Sequence, residues 1–97
     1  MALQITFRHM EHTPALDQLI REKSLKFNKW FGEDAKIQWT CWVEGLEQWS
    51  EARVHTRGKD YFAKASADDL YKTFDMVTQK IHNQISHMRS TNLRNKI

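Results

Sequence analysis

Between Leu70 and Met88 the apolar residues Leu70, Phe74, Val77, Ile81, Ile85 and Met88 return every three or four positions, which is the period of one face of an α-helix. Ser66, Asp68 and Asp69 stand just upstream as cap and dipole partners. This segment is therefore predicted to be a long amphipathic helix. A helix with a single apolar stripe needs a second layer to cover it, and the rest of the chain has to supply that layer.

It does so mainly with alternating segments. Leu3-Gln4-Ile5-Thr6-Phe7-Arg8 alternates strictly and predicts a half-buried strand, followed by a polar connection over His9 to His12. Thr13-Pro14 is a helix start, with threonine as cap and proline at the first helical position, where its missing N–H costs nothing. Leu16, Leu19, Ile20, Phe27, Trp30 and Phe31 then follow at helical spacing up to Gly32. Ile37, Trp39, Cys41 and Val43 alternate with Gln38, Thr40, Trp42 and Glu44; after a turn near Glu44 to Gln48, Ala52 and Val54 alternate with Glu51, Arg53 and His55. Arg57-Gly58-Lys59-Asp60 has the glycine a tight hairpin wants, and Tyr61, Ala63 and Ala65 alternate with Phe62, Lys64 and Ser66. The expected order is β-α-β-β-β-α, an α+β fold with two helices packed on one face of a mostly antiparallel four-stranded sheet. A ferredoxin-like order would need another strand after the last helix, and the polar stretch Ser90 to Ile97 offers none.

With 97 residues the chain buries about 60–65% of its unfolded surface, enough for one core. We expect one domain over residues 1–89 and a basic, flexible tail over 90–97. No apolar run exceeds three residues, as in Cys41-Trp42-Val43, and mean hydropathy is −0.72. No membrane helix and no secretory leader are expected, so the default location is the cytoplasm. Cys41 has no second cysteine and falls on the inward side of its strand, a core position. No serine is flanked by glycines, and Gly32, Gly45 and Gly58 stand alone, so neither a nucleophile elbow nor a phosphate loop is present. His9 and His12 flank Glu11, and His82 and His87 lie about 140° apart around a helix; neither pair predicts a metal. Enzymatic activity, cofactor, metal and small-molecule substrate are all expected to be absent.

Charge placement is more informative. Residues 1–88 hold twelve of the 15 Lys and Arg and all 12 Asp and Glu, so the surplus of +3 comes from Arg89, Arg94 and Lys96. Beyond Asp75 there is no acid. Such segregation suits a polyanion, although cations ending a helix also complement its dipole. Lys23, Lys26 and Lys29 form a stripe within about 120° on the first helix, with Arg21 just before them. The outward arc of the second helix holds Lys72, Gln79, Lys80, Asn83, Ser86 and His87, with no acid assigned to it. Side by side, the two helices would present one positive surface suited to folded RNA. A second candidate is the other face of the sheet, where Thr6, Gln38, Thr40, Trp42, Arg53, His55, Arg57, Phe62 and Lys64 mix bases with aromatics able to stack on single-stranded RNA. A third reading is a protein-interaction module, for example one that modulates transcription machinery.

Certain fragments are also familiar in their order and spacing: Ile5-Thr6, Met10-Glu11-His12-Thr13-Pro14-Ala15-Leu16, the spaced lysines ending in Lys29-Trp30-Phe31, and Ala65-Ser66-Ala67-Asp68-Asp69-Leu70-Tyr71 followed by Phe74-Asp75. Over Leu3 to about Arg89 the chain resembles the bacterial ribosome hibernation-promoting factor and ribosome-associated inhibitor family, in its short, sigma-54 modulation protein-like form. The resemblance implies the fold above, akin to a double-stranded-RNA-binding fold. It also implies a factor that occupies the decoding channel of the small ribosomal subunit, contacts its rRNA and blocks mRNA and tRNA under stress or in stationary phase; a monomer off the ribosome is expected because no long apolar surface remains unassigned. The implied RNA-binding residues are Lys23, Lys26, Lys29, Lys80, Asn83, His87 and Arg89. Two of these depart from the family pattern. Asn83 replaces a base and brings no charge, and His87 replaces a lysine and is charged mainly below neutral pH. The short basic tail is closer to the hibernation-promoting type than to the inhibitor type, whose tail is extended and acidic.

Overall fold

Strict alternation turns residues Ala2–Arg8 into β1, with Leu3, Ile5 and Phe7 toward the core and Gln4, Thr6 and Arg8 toward solvent. The computed structural model describes the backbone of residues 1–95 and the side chains of residues 1–86. Helix α1 (Pro14–Phe31) begins as predicted: the Thr13 hydroxyl accepts from the Leu16 amide at 3.2 Å, and Pro14 opens the first turn. It ends at Gly32, where φ is +83° and the amide donates to the Asn28 carbonyl. Strands β2 (Lys36–Glu44), β3 (Glu47–Thr56) and β4 (Lys59–Ala67) follow, and α2 (Leu70–Asn95) closes the chain. The order is the expected β-α-β-β-β-α. The tail expected over residues 90–97 begins within α2, whose backbone runs on to Asn95; residues 96–97 lie outside the described residues.

The sheet runs β1-β2-β3-β4. The α1 crossover makes β1 and β2 parallel, and the two hairpins make the other pairs antiparallel. The first hairpin loop is shorter than the sequence suggested, and the second is the tight turn expected there. Glu44 pairs with Glu47, leaving Gly45-Leu46 as the turn, with positive φ at Gly45. Thr56 pairs with Lys59 around Arg57-Gly58, both at positive φ. These are the primed turns that match strand twist. The first of them starts β3 at Glu47, ahead of the alternation seen from Glu51, and sets Trp42 opposite Trp49 in a parallel stack with ring centroids 5.8 Å apart.

Alternation divides the sheet into a covered and an open face. On the covered face Trp39 is fully buried, 6.1 Å from the Phe27 ring of α1 and 5.7 Å from the Phe74 ring of α2. Cys41 is buried beside it, and burial pushes its thiol pKa up to about 12, so it is an unreactive core residue. Small residues Ala52, Ala63 and Ala65 let α2 lie close to β3 and β4. The start of α2 is tied down three times: Asp69 Oδ1 accepts from the Tyr71 amide, Gln48 Oε1 accepts from the Leu70 amide, and Ser50 Oγ donates to Thr73 Oγ1 at 2.8 Å. Thr73 in turn donates to the Leu70 carbonyl, so both buried hydroxyls are used.

That relay gives a stability test. Thr73→Val leaves the Ser50 hydroxyl buried without an acceptor and should cost about 1–3 kcal/mol in urea unfolding. Ser50→Ala combined with Thr73→Val should cost less than Thr73→Val alone. A double variant as unstable as the sum of the singles would show that the two hydroxyls act independently.

Candidate nucleic-acid interface

The buried side of α1 is Ile20, Ser24, Phe27 and Phe31. Each three-residue step around a helix falls about 60° short of a full turn, so Lys23, Lys26 and Lys29 wind from the flank facing α2 toward open solvent. On α2 the buried stripe includes Leu70, Phe74, Val77 and Ile81, and Asp75, Gln79 and His82 lie together beside it at i, i+4 and i+7. The helices meet along these two flanks. Lys23 Nζ pairs with Asp75 Oδ1 at 2.7 Å, and the Trp30 indole packs on the His82 ring at 5.0 Å between centroids. Between the two contacts runs a groove of about 360 Å³ lined by Lys26, Trp30, Asp75, Thr78, Gln79 and His82.

The groove brings together only part of the expected set. Lys26 enters it and Lys29 lies exposed further along α1. Asn83 is reached through Gln79, whose amide donates to Asn83 Oδ1 at 3.0 Å. Lys80 sits on the opposite flank of α2, where its ammonium donates to the Lys64 carbonyl of β4 at 2.8 Å. Its neighbour Gln84 donates to the Phe62 carbonyl at 2.6 Å. Together they satisfy acceptors along the outer edge of β4. His87 and Arg89 lie outside the described side chains.

Several bases of the joined surface already hold a carboxylate. Arg21 pairs with Asp17 at 2.6 Å, and hydrogen bonds from His12 and Arg21 hold the Asp17 carboxyl below the usual range. Lys72 pairs with Asp68 at 2.9 Å, and that hydrogen bond raises its pKa. Arg21 therefore belongs to the start of α1 more than to the lysine stripe. Sequence reasoning missed Asp75, which places an acid on the face that was expected to carry none. The signal was there: Asp75, Gln79 and His82 share one helical arc, but which arc meets α1 depends on the packed rotation of α2. Exposed pairs of this kind are worth about 0–1 kcal/mol, so a ligand phosphate can compete for the lysine.

The family described as Sigma 54 modulation protein / S30EA ribosomal protein matches residues 3–92. The chain belongs to this family. Among its relatives, ribosome hibernation promoting factor of Azotobacter vinelandii is 28% identical over 85 residues, covering 88% of this chain and 79% of that protein. The protein of the same description from Escherichia coli K12 is 28% identical over 86 residues, covering 89% and 90%. A ribosomal subunit interface protein from Coxiella burnetii superposes with a TM-score of 0.80 at 26% identity, over 93% of this chain and 99% of that one. The N-terminal domain of Thermus thermophilus Protein Y gives a TM-score of 0.81 over 91% and 99% at 17% identity, which speaks for the fold alone.

The unequal pairing of the three lysines is testable with duplex RNA as a polyanionic probe. Lys26→Ala and Lys29→Ala should each reduce the slope of log K against log salt by about 1. Lys23→Ala should reduce it by clearly less, because removing that lysine also releases Asp75 into the interface. Equal slopes for all three variants would mean that the Lys23–Asp75 pair does not persist in solution.

Proposed function

We propose that this protein is a ribosome hibernation factor that silences translation by occupancy. The α1–α2 face lies on small-subunit rRNA in the decoding channel and excludes mRNA and tRNA. Family membership over nearly the whole chain carries this reading, since relatives covered over four-fifths of their length or nearly so are named for ribosome hibernation. The groove supports it physically. Lys26 and Lys29 reach outward as phosphate ligands, Asn83 and Gln79 offer neutral hydrogen bonds, and Lys23 is available once Asp75 is displaced. Such contacts read backbone and shape, as recognition of folded RNA requires, and no bond is made or broken. His87 and Arg89 extend the same proposed contact set. Lys80 joins it only by exchanging the Lys64 carbonyl for a phosphate. The domain assignment, 1–89 with a basic tail over 90–97, belongs to this proposal, as does a cytoplasmic, monomeric state off the ribosome. No helix among the described residues is long and apolar enough to cross a membrane.

The test is co-sedimentation with purified small subunits in sucrose gradients at low and moderate salt. The wild type should comigrate, and subunits already holding mRNA and tRNA should exclude it. Lys26→Glu combined with Lys29→Glu should weaken binding at least about tenfold. This pair is the cleaner variant, because Lys23→Glu also sets a like charge beside Asp75. Comigration unaffected by both lysine reversals, or simultaneous binding with mRNA and tRNA, would overturn the reading.

A further inference from the structure

The helix face leaves the opposite side of the sheet unused, and that side has an ordered chemistry. Cross-strand register arranges it in rows. Lys36, His55 and Asp60 form one row; Gln38, Arg53 and Phe62 the next; Thr40, Glu51 and Lys64 the third; Trp42, Trp49 and Ser66 the fourth. Successive rows on one face are about 6.6 Å apart, since side chains on one face recur every second residue. The second and fourth rows are flat platforms. The Arg53 guanidinium lies over the Phe62 ring at 4.9 Å, Trp42 and Trp49 stack with an interplanar angle of 4°, and Lys64 Nζ stands 5.5 Å from the Trp49 centroid.

Between the first two rows the surface opens into a pocket of about 430 Å³, lined by Lys36, Gln38, Arg53, His55, Asp60 and Phe62 among others. Its lone carboxylate, Asp60, is engaged with His55 Nδ1 at 2.7 Å. Lys36 and Arg53 therefore stand as two bases against one acid there. Phe62 is 40% exposed, a large aromatic area left in water beside fixed cations.

We infer that this open sheet face is a second RNA-binding surface, specific for single strands, in which the Arg53–Phe62 platform and its pocket hold one nucleotide. A base extends the stack on Arg53 and Phe62, Gln38 faces its polar edge, and Lys36 takes the phosphate. The Trp42–Trp49 platform lies about 13 Å further along, two rows away, with Lys64 between them to meet the connecting backbone. Across the four rows Glu51, opposite Lys64, and Asp60 are the acids, two against the three bases Lys36, Arg53 and Lys64. Duplex RNA is excluded because its bases are already stacked inside the helix.

Fluorescence anisotropy with labelled hexauridylate, at low salt and without ribosomes, tests it. The wild type should bind; Phe62→Ala and Arg53→Glu should each weaken binding about tenfold, the loss of one stacking platform, while Lys26→Glu/Lys29→Glu should change it less than about threefold. Both sheet positions are exposed, and thermal melts of the variants would verify folding. The inference is overturned if both sheet variants bind like the wild type, if the helix variant alone abolishes binding, or if no oligonucleotide binds. Competition by uridine monophosphate equal to that of hexauridylate would also overturn it, because the pocket would then serve a free nucleotide instead of a strand.

Discussion

Everything in this molecule depends on burying one face of a four-stranded sheet under two helices, and Trp39 is where that requirement is met. Its ring lies between Phe27 and Phe74, so a single side chain of a central strand touches both helices. Burying aromatics of this size is worth about 2–3 kcal/mol each, with further gain from tilted and edge-on ring contacts. Because both helices must reach the same wedge, they are forced side by side. The groove between them is therefore a by-product of core packing, and its lining is whatever the two helices carry on their adjoining flanks. In this chain those flanks bring Lys23 to Asp75 and Trp30 to His82.

Helix α2 serves the fold on two sides besides the groove. Its apolar stripe covers the sheet, and its far flank sends Lys80 and Gln84 to carbonyls at the edge of β4. An uncapped edge strand is a template for unwanted pairing, so these two side chains limit association with other chains. The consequence for recognition is that a base expected to face RNA has a structural duty. Its charge still adds to the surrounding field, but at the edge of the sheet and not in the groove. What a helix residue can contribute is thus set by the arc it occupies, and charge counted along the sequence overstates the cation density of the joined surface.

The elements were legible because each is encoded locally. The alternation of Leu3 to Arg8, the Thr13-Pro14 start and the recurrence from Leu70 to Ile85 need no partner to be read. The family resemblance was legible too, since it rests on fragments kept in order. Hairpin length was less so. The two-residue turn at Gly45-Leu46 sets the register that pairs Trp42 with Trp49, and the unbroken polar and apolar mixture of Glu47 to Ser50 hides that strand from a periodicity argument. The ion pair between the helices was not legible, unlike the i,i+4 pairs Asp17–Arg21 and Asp68–Lys72. Lys23 and Asp75 are far apart in sequence, and their meeting depends on the rotation of α2 about its own axis, which is fixed by Phe74, Val77 and Ile81 against the sheet.

The same division between local and tertiary information separates the two faces chemically. On the helix side, long flexible cations flank the groove, Trp30 is engaged with His82, and the half-exposed Tyr71 packs edge-on against Phe74. Such a surface can follow the phosphates of a folded RNA but has little with which to grip a base. The sheet side is the converse. Pleating holds Phe62, Trp42 and Trp49 at fixed spacing, with Arg53 and Lys64 laid over the rings. A rigid stack exacts little entropy on binding a flat base, whereas a lysine stripe must be immobilised residue by residue. Exposed cations on one layer and aromatic stacks on the other are therefore the surface chemistry of this two-layer α+β domain, and the order of its strands decides which aromatics end up in line.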